Sequence, residues 1–458
     1  MQHLHCACSR RQMIRSLVSG SLIFPGIVSQ LLAEEARGEI NPLAPKAPHF
    51  PGKAKRVIFL YMTGGASHMD SFDPKPRLFE DGGKPISKTN PRPYLRPLWQ
   101  FHPGGKCGTQ VSDLFPHIRE CMDDICLIRS MRGDHSDHFQ ATLGIHTGSV
   151  TVKRPSLGSW VSYGLGTVNQ NLPSFVVLAP ELPYAGSQVW SSDFLPGAHS
   201  GTRVMAGAEP IPDLIRRSPT PKIQEMELSL LDRFNRKHRQ QRPADPVLAA
   251  RMKSFETAFG MQKEMPEVLN LSKETDATHK LYGLERGSTK GFAWQCLVAR
   301  RLVERGVRFV ELIDVGSHDN WDAHADIKTH EPLARNVDQP IAGLLKDLKA
   351  RGMLDDTLVV WTTEFGRTPF TDGPKGRSHQ NSAYSSWLAG GGVKGGIAYG
   401  KTDDYGAKVM EDEVHVHDFH ATILHLLGFD HQKLTFRFGG RDFRLTDVAG
   451  NVVKALLA

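Results

Sequence analysis

The sequence predicts an α/β fold in which a parallel sheet is sandwiched between helices and interrupted by a loop-rich insertion. Short apolar runs recur along the chain, which is typical of strands buried on both faces of a parallel sheet. Two later runs each follow an amphipathic helical pattern, and helix followed by strand is the repeat of α/β folds. The 458 residues are 40% hydrophobic and 23% charged, which supplies a sizeable core and excludes compositional disorder.

Residues 1–33 have the composition of an export signal. They contain Arg10, Arg11 and Arg15 and no acidic residue, and the segment 16–33 is uncharged and moderately apolar. A basic start followed by an apolar stretch is typical of a secretory signal, and the adjacent arginines resemble a twin-arginine signal. We therefore expect recognition by the twin-arginine export machinery and a periplasmic or secreted protein.

The alternative for this segment is an N-terminal membrane anchor. Its apolar part is about 18 residues long and is diluted by Ser, Gln and Gly, so it would span a bilayer poorly. The other long uncharged run, 156–180, is interrupted by Asn169, Gln170 and Asn171. We therefore expect no stable transmembrane span.

The charge and the cysteines give weaker indications. The formal net charge is +7, of which residues 1–33 supply +3, and the rest contains no Lys or Arg run like a nucleic-acid-binding arm. We therefore expect the excess charge to be spread out and no nucleic-acid partner. Four cysteines follow residue 33, an even number that permits disulfides in an exported protein.

The elements follow in order along one predicted domain, 55–458, behind a Pro- and Ala-rich linker at 34–54. The predicted strands are 56–62, 125–128, 175–178, 307–313 and 357–361. The predicted helices are 291–305, 340–349 and 419–427, the last with Asp418 as its N-cap and Gly428 at its end. The insertion, about 180–290, contains a charged amphipathic block at 221–263, and we expect it to be partly helical and to cover a site.

Polar clusters follow the predicted strands. In parallel sheets, ligands bind beyond the carboxyl ends of the strands. The clusters contain His68, Asp70 and Asp73; His138; His318, Asp322 and His324; Glu364 and Arg367; and, in a later loop, His379. Carboxylates and imidazoles together suit zinc, manganese or another first-row ion, and two such ions would clamp an anionic group.

Each of these residues also has a structural explanation. Asp70 or Asp73 would serve equally as a helix cap. His138 would serve as a hydrogen-bonded loop histidine, and Glu364 as an ion-pair partner of Arg367. The hypothesis of a metal site therefore depends on the set and not on any one member.

Several motifs resemble the domain-of-unknown-function 1501 family across about residues 50–458. They are GGASHMDSFDPK at 64–75, WDAH at 321–324, EFGRTP at 364–369 and GRSH at 376–379, with supporting segments at 390–396, 420–424 and 440–442. The family resembles the sulfatase-like branch of the alkaline phosphatase superfamily. The resemblance implies a parallel sheet between helices and one or two divalent ions, which would be zinc, manganese or calcium.

The resemblance also implies a function. It is that of an exported, metal-dependent hydrolase of sulfate or phosphate esters, whose anionic substrate includes sulfated polysaccharide among the candidates. Asp70, Asp322, His324, Glu364 and His379 would bind metal, with His68, Asp73 and His318 as possible additional ligands. Arg367 would steer the anion, and His138 and Thr142 lie in the region where a nucleophile is expected.

The sequence departs from the superfamily pattern at three places. Thr63 stands where an Asp ends the first strand, Ser378 stands where the family usually has Asp, and no Cys/Ser-x-Pro-x-Arg segment is present. These departures support an alternative: a catalytically inactive member that acts as an envelope or polysaccharide-binding protein.

Overall fold

The computed structural model describes residues 41–458, except 208, 213, 241, 243–245 and 316–319, and except the side chains of 239, 240, 246 and 247. The predicted signal, the linker before residue 41 and His318 therefore lie outside the described residues. From Pro42 to Ala458 the chain forms one compact unit. No helix within the described ranges is long and apolar enough to cross a membrane.

The described residues form strands and helices, and the strands include those of the central sheet and of several small two-stranded sheets. The strands are β1 (Arg56–Met62), β2 (Phe101–Gly104), β3 (Thr109–Ser112), β4 (Ile125–Arg132), β5 (Phe175–Leu178), β6 (Thr202–Val204), β7 (Phe309–Asp314), β8 (Thr357–Thr362), β9 (Gly366–Asp372), β10 (Gly376–Gln380), β11 (Tyr384–Ala389), β12 (Ile397–Tyr399), β13 (Lys401–Thr402), β14 (Val409–Glu411), β15 (Val414–His415), β16 (Phe436–Phe438) and β17 (Arg441–Phe443). The helices are α1 (Pro76–Asp81), α2 (Pro116–Arg119), α3 (His138–Thr147), α4 (Leu157–Leu165), α5 (Pro221–Gln240), α6 (Pro246–Leu269), α7 (Asp276–Tyr282), α8 (Phe292–Glu304), α9 (His330–Ala350) and α10 (Val416–Leu426).

The central sheet has nine strands in the order β12-β4-β11-β8-β1-β7-β5-β6, with β15 beside β4. β1 lies in the middle and pairs in parallel with β7 and β8. The predicted parallel sheet is confirmed, with a difference at β11, which runs antiparallel to β4 and β8. Parallel neighbours need a long crossover, whereas the chain returns from β8 to β11 through the short β9–β10 hairpin.

Successive side chains along a strand point to opposite faces of the sheet, and the strands are apolar on both faces, so helices cover both. Ile58 and Leu60 of β1 belong to the core beneath α8 and α9. Val57 and Phe59 belong to a second core beneath α3, α4 and α10. The predicted arrangement of a sheet between helices is confirmed, and both faces of β1 are buried, as its continuous apolar sequence indicates.

Two helix boundaries differ from the prediction. α9 begins at His330, ten residues before the predicted start, and contains Pro340 in its interior. The prediction started the helix at Pro340 because proline favours the first turn of a helix. The N-cap of α10 is His415 and not Asp418. Asp418 is the N3 member of a capping box, in which its carboxylate accepts from the backbone N–H of His415.

The predicted insertion is built into the main fold. It supplies β6 at one edge of the sheet, beside β5, and the helices α5, α6 and α7. Met265 and Val268 of α6 enter the same core as α8. The four cysteines of the described chain, Cys107, Cys121, Cys126 and Cys296, are free thiols.

Candidate metal centre

A polar centre lies beyond the carboxyl ends of β7 and β8, where an α/β sheet binds ligands. Its middle is the carboxylate of Asp322, in the loop after β7. The indole N–H of Trp321 donates to Asp314 at the end of β7, 2.8 Å away, and the Trp321 backbone N–H donates to the Thr63 carbonyl after β1. These two bonds fix the loop, so the position of Asp322 follows from the strand ends.

Three imidazole Nε2 atoms converge on the Asp322 carboxylate. His324 Nε2 lies 2.9 Å and His379 Nε2 3.3 Å from Oδ1, while His138 Nε2 lies 3.1 Å from Oδ2. His138 is the first residue of α3, and Asp137 caps that helix by accepting from the Phe139 N–H. The sequence therefore brings three distant histidines to a single carboxylate.

The protons on these imidazoles follow from their outer partners. His379 Nδ1 lies 2.7 Å from the carbonyl oxygen of Ser136, and His324 Nδ1 lies 2.7 Å from Asp372 Oδ2. Both partners only accept, so each Nδ1 carries the hydrogen and each neutral ring has a lone pair at Nε2. Yet the two Nε2 atoms are 2.9 Å apart. Facing lone pairs at that distance require a proton or a cation close by.

His138 has the same pattern. Its Nδ1 lies 2.8 Å from Glu364 Oε1, and its buried Nε2 has no hydrogen bond of normal geometry. Burial by itself lowers the pKa of His138, but the carboxylates of Asp322 and Glu364 outweigh burial and raise that pKa to about 9. Burial by itself would raise the pKa of Asp322, but the contacts with His138, His379 and Arg367 outweigh burial and hold that pKa well below its ordinary value. The protein around the centre is therefore strongly attractive to positive charge.

Glu364 lies behind His138 and not beside Asp322. Its Oε1 accepts from the Gly64 N–H (2.8 Å) and from His138, and its Oε2 accepts from the Tyr61 hydroxyl (2.9 Å) and the Thr363 hydroxyl (3.0 Å). Four hydrogen bonds use the four acceptor sites of a carboxylate. Glu364 was predicted to bind metal directly, and the structure instead gives it the place of a residue that orients and charges His138.

Arg367 was predicted to steer an anion, and the structure does not support that role. The side chain is fully buried, and it donates to the carbonyl oxygens of Gly64, Gly65 and Arg377 and to Asp322 Oδ1 at 2.5 Å. Four of its five N–H donors are bound to the protein, and the side chain has no exposed surface. Arg367 holds the Asp322 carboxylate in place.

Three other predicted ligands lie among different partners. Asp70 forms a buried ion pair with Arg377 at 2.8 Å, and Asp73 binds Lys75 at 3.0 Å. His68 Nε2 lies 2.8 Å from the Gly406 carbonyl oxygen. These side chains stabilise the loops after β1 and do not join the group around Asp322.

Thr142, predicted near the nucleophile, is also sealed inside. It lies one turn along α3 from His138, is fully buried, and bonds to the Tyr61 hydroxyl at 2.9 Å. A nucleophilic hydroxyl must reach its substrate, so the structure gives Thr142 a supporting role. His318 cannot be placed because it lies outside the described residues.

Aromatic rings enclose one side of the centre and leave another side open. Tyr184, from the insertion, stacks on His138 with ring centroids 4.1 Å apart and an 11° interplanar angle. Phe365 contacts both His138 and His379, at 4.8 Å and 4.6 Å. His324 remains 41% exposed. A small molecule therefore has access from the His324 side.

The residues present fit a single cation. Within the described part of the chain, one His/Asp group has ligand geometry: His138, Asp322 and His379 each offer an atom, and these atoms lie within 4.8 Å of one another. Each imidazole donates its other N–H to a carboxylate or a carbonyl, which is the usual support of a metal-binding histidine. The sequence predicted Asp322 and His379 as metal ligands and His138 as a catalytic residue, and it missed the supporting contacts of Ser136 and Asp372.

The chain matches one protein family over most of its length. The family model described as "Protein of unknown function (DUF1501)" covers residues 54–457. The chain belongs to this family. That confirms the family indicated by the sequence motifs, and no curated protein matches the sequence.

Solved structures with a similar chain path include enzymes of the sulfatase and alkaline phosphatase kind. The chain is similar to lipoteichoic acid synthase LtaP from Listeria monocytogenes (10% identity, 87% of this chain and 78% of that one, TM-score 0.38). It is also similar to the PsFucS1 sulfatase from Pseudoalteromonas sp. (12%, 82% and 68%, TM-score 0.35) and to alkaline phosphatase from the Antarctic bacterium TAB5 (10%, 74% and 92%, TM-score 0.32). A mutant of the last has Mg bound in its M3 site. At these identities and scores, nothing about this chain's activity follows.

Proposed function

We propose that this protein is a metal-dependent hydrolase of sulfate or phosphate esters, with one divalent ion held by His138, Asp322 and His379. The observation that carries the proposal is the convergence of His138, Asp322 and His379, whose ligand atoms all lie within 4.8 Å of one another. Three protein ligands with a solvent-accessible side is the arrangement of catalytic rather than structural metal sites.

The donor set supports zinc or manganese rather than calcium. Two imidazole nitrogens and one carboxylate suit first-row ions, whereas calcium takes six to eight oxygens. When bound, such an ion would polarise the ester oxygen and lower the pKa of water. The His138 and His379 ring centroids are only 4.3 Å apart and Phe365 packs against both rings, so the group is compact, which supports one ion rather than two.

The protein's own groups divide the remaining work. Arg367 holds Asp322, and Glu364 keeps the Nδ1 hydrogen on His138, so both ligands are fixed before anything binds. His324 is exposed, and its Nδ1–H donates to Asp372, so its Nε2 is placed to accept a proton from an attacking water. In this proposal His324 transfers a proton, although the sequence placed it among the ligands.

The first experiment measures metal content and turnover together. Wild type should hold about one ion per chain and should hydrolyse aryl sulfates or aryl phosphates. His379→Ala should lose both the ion and the turnover, while His425→Ala, which changes a histidine outside the centre, should keep both. Wild type that neither retains zinc or manganese nor binds either ion on titration would overturn the proposal.

A second candidate function is binding without catalysis, as an envelope or polysaccharide-binding protein. The observation in its favour is that Thr142, the hydroxyl predicted near the nucleophile, is fully buried and bonded to the Tyr61 hydroxyl. Retention on a sulfated polysaccharide that depends on the metal, with no turnover on any ester, would favour this candidate.

We also propose export through the twin-arginine route, on the sequence of residues 1–33. Replacement of Arg10 and Arg11 by Lys should retain the protein in the cytoplasm, whereas replacement of Arg15 by Lys should leave export unchanged. Cell fractionation measures both. Export of the Arg10/Arg11 double variant at the wild-type level would exclude this route.

A further inference from the structure

Helix α5, Pro221–Gln240, exposes an apolar face that the compact unit does not cover. Ile223, Met226, Leu230, Leu231 and Phe234 are between 41% and 65% exposed. Their spacing of three and four residues places most of them along one side of the helix. Isolated exposed apolar residues are ordinary, but a row of five on one helix marks a surface that binds something.

The helix is attached to the protein by a different side. The Gln224 amide donates to Gln262 of α6 at 2.8 Å, and Leu228, Asp232 and Asn235 are half-buried. The apolar row is therefore directed away from the helix that anchors α5. Its C-terminal half, with Leu230, Leu231 and Phe234, is the more continuous part.

The N-terminal half of the row is interrupted by an acidic residue. Glu227 lies on the same side of the helix as Ile223 and Met226, and the Ser218 hydroxyl donates to its carboxylate at 2.5 Å. The binding surface is therefore assigned to the C-terminal half.

The segment that contains this helix and its flanks carries a large share of the net positive charge. Residues 214–242 contain eight Arg or Lys and three Asp or Glu, a net charge of +5. The whole chain carries +7 and residues 1–33 carry +3, so all the other residues together carry −1. Helix α5 itself has five Lys or Arg and three Asp or Glu, a net charge of +2, and its flanks add three arginines.

Charge and apolar surface coincide in the last turns of α5. Arg233 and Lys237 are exposed there, and each follows an apolar residue of the C-terminal half by three positions, so both flank the apolar row. The third cation, Arg236, is exposed and pairs with Asp232. A helix of low mean hydropathy that combines exposed Leu and Phe with neighbouring Lys and Arg is suited to lie flat in a lipid interface. Each basic residue near an anionic membrane surface contributes about 1 kcal/mol.

A second copy of the chain is a poorer occupant than a lipid surface. A helix of about 20 residues measures roughly 30 Å by 10 Å, so two copies paired along it would bury roughly 600 Å² in total. Stable protein interfaces bury at least about 1,200 Å². A bilayer needs no matching area, because apolar side chains enter it one by one and the cations meet headgroup phosphates.

We propose that the C-terminal half of α5 binds the surface of an anionic lipid bilayer, with Leu230, Leu231 and Phe234 in the acyl boundary and the neighbouring cations on the headgroups. This inference does not depend on the proposed hydrolase activity. It places the protein against a membrane through a surface helix.

The experiment uses the full chain and vesicles of phosphatidylcholine, either alone or with phosphatidylglycerol as about a third of the lipid. Cosedimentation gives the affinity, and hydrogen exchange of peptides from 221–240 reports binding at α5 itself. Wild type should bind the anionic vesicles, with α5 protected, and bind the neutral ones at least about tenfold more weakly. The triple variant Leu230→Gln, Leu231→Gln, Phe234→Gln should lose at least about a hundredfold in affinity.

Matched variants distinguish binding through this surface from nonspecific binding to the vesicles. Met410→Gln with Val448→Gln removes exposed apolar side chains elsewhere and should leave binding unchanged, as should Lys88→Gln with Lys290→Gln. Arg233→Gln with Lys237→Gln should weaken binding about tenfold or more. The proposal is overturned by unprotected α5 peptides, by equal binding of the triple variant, or by a wild-type dimer that the triple variant abolishes, since that result would assign the face to a second copy.

Discussion

Two carboxylates, Glu364 and Asp372, each accept a hydrogen bond from an imidazole of the centre, and removing their charges should have different effects on metal binding and turnover. Glu364 supports His138, a proposed ligand, and Asp372 supports His324, the proposed proton acceptor. We predict that Glu364→Gln weakens metal binding and that Asp372→Asn weakens turnover. The pair is matched because each variant keeps the size of the side chain and removes one negative charge.

The expected magnitude follows from the contacts of Glu364. A Gln oxygen can keep the bonds from Gly64 and His138, and its amide group can donate to the hydroxyls of Tyr61 and Thr363, since a hydroxyl can accept as well as donate. The stability of the fold should therefore change by about 1 kcal/mol or less. Losing the charge behind a metal-binding imidazole costs about 10- to 100-fold in metal affinity.

The assay is competition for zinc against a chromogenic chelator, followed by turnover at saturating zinc. Asp372→Asn should leave zinc affinity within about threefold of wild type and lower turnover at least about tenfold. If Asp372→Asn weakens zinc binding as much as Glu364→Gln does, then His324 is a ligand and its assigned proton transfer is wrong. If neither variant changes zinc affinity, the centre does not lie at Asp322.

Three further predictions concern the scaffold. Tyr184→Ala should destabilise the protein by about 1 kcal/mol in chemical denaturation and Tyr184→Phe much less, because the ring stacks on His138. Gly376→Ala should cost at least about 2 kcal/mol and weaken the centre, because a Cβ there would overlap the backbone carbonyl of His324. Burial raises the pKa of Asp338 to about 6, above the value of about 3.9 in unfolded protein. Between about pH 4 and 6 the folded protein therefore keeps the Asp338 proton while the unfolded protein loses it. Over that range the free energy of unfolding should fall by up to about 3 kcal/mol relative to Asp338→Asn.

Each has a control and a contrary outcome. Equal destabilisation by Tyr184→Ala and Tyr184→Phe would show that the hydroxyl matters and the stacking does not. Gly197→Ala has no neighbour within 4 Å and, like Gly376, no positive φ, so a larger loss there than at Gly376 would contradict the steric argument. The exposed Asp355→Asn should parallel wild type over the same pH range, and Asp338→Asn doing the same would remove Asp338 from the pH dependence.

The sequence predicts the architecture well because burial dominates it. The apolar run of β1 is buried on both faces, and such a run has few other stable positions than the middle of a covered sheet. Local rules are weaker at boundaries, as the start of α9 shows: Pro340 favours a helix start, but the apolar positions before it continue the pattern into the core. Tertiary packing outweighed the local preference there.

The candidate site divides in the same way. Motifs identify Asp322, His324 and His379, since their residue types carry the chemistry. A sequence does not show which lone pairs and donors are already used within the protein, and Glu364 and Arg367 illustrate this. In the structure both side chains are buried, Glu364 beside His138 and Arg367 beside Asp322, so we expect each to act on the centre through that neighbour.

The sequence by itself determined the family, the sheet between helices and the kinds of group available at the strand ends. Only the tertiary structure decided which of those groups meet, because the loop after β7, strand β10 and the start of α3 are far apart in the chain and are brought together only by folding. It also decided which apolar side chains remain exposed. Folding leaves the apolar row of α5 uncovered, with Arg233 and Lys237 beside it.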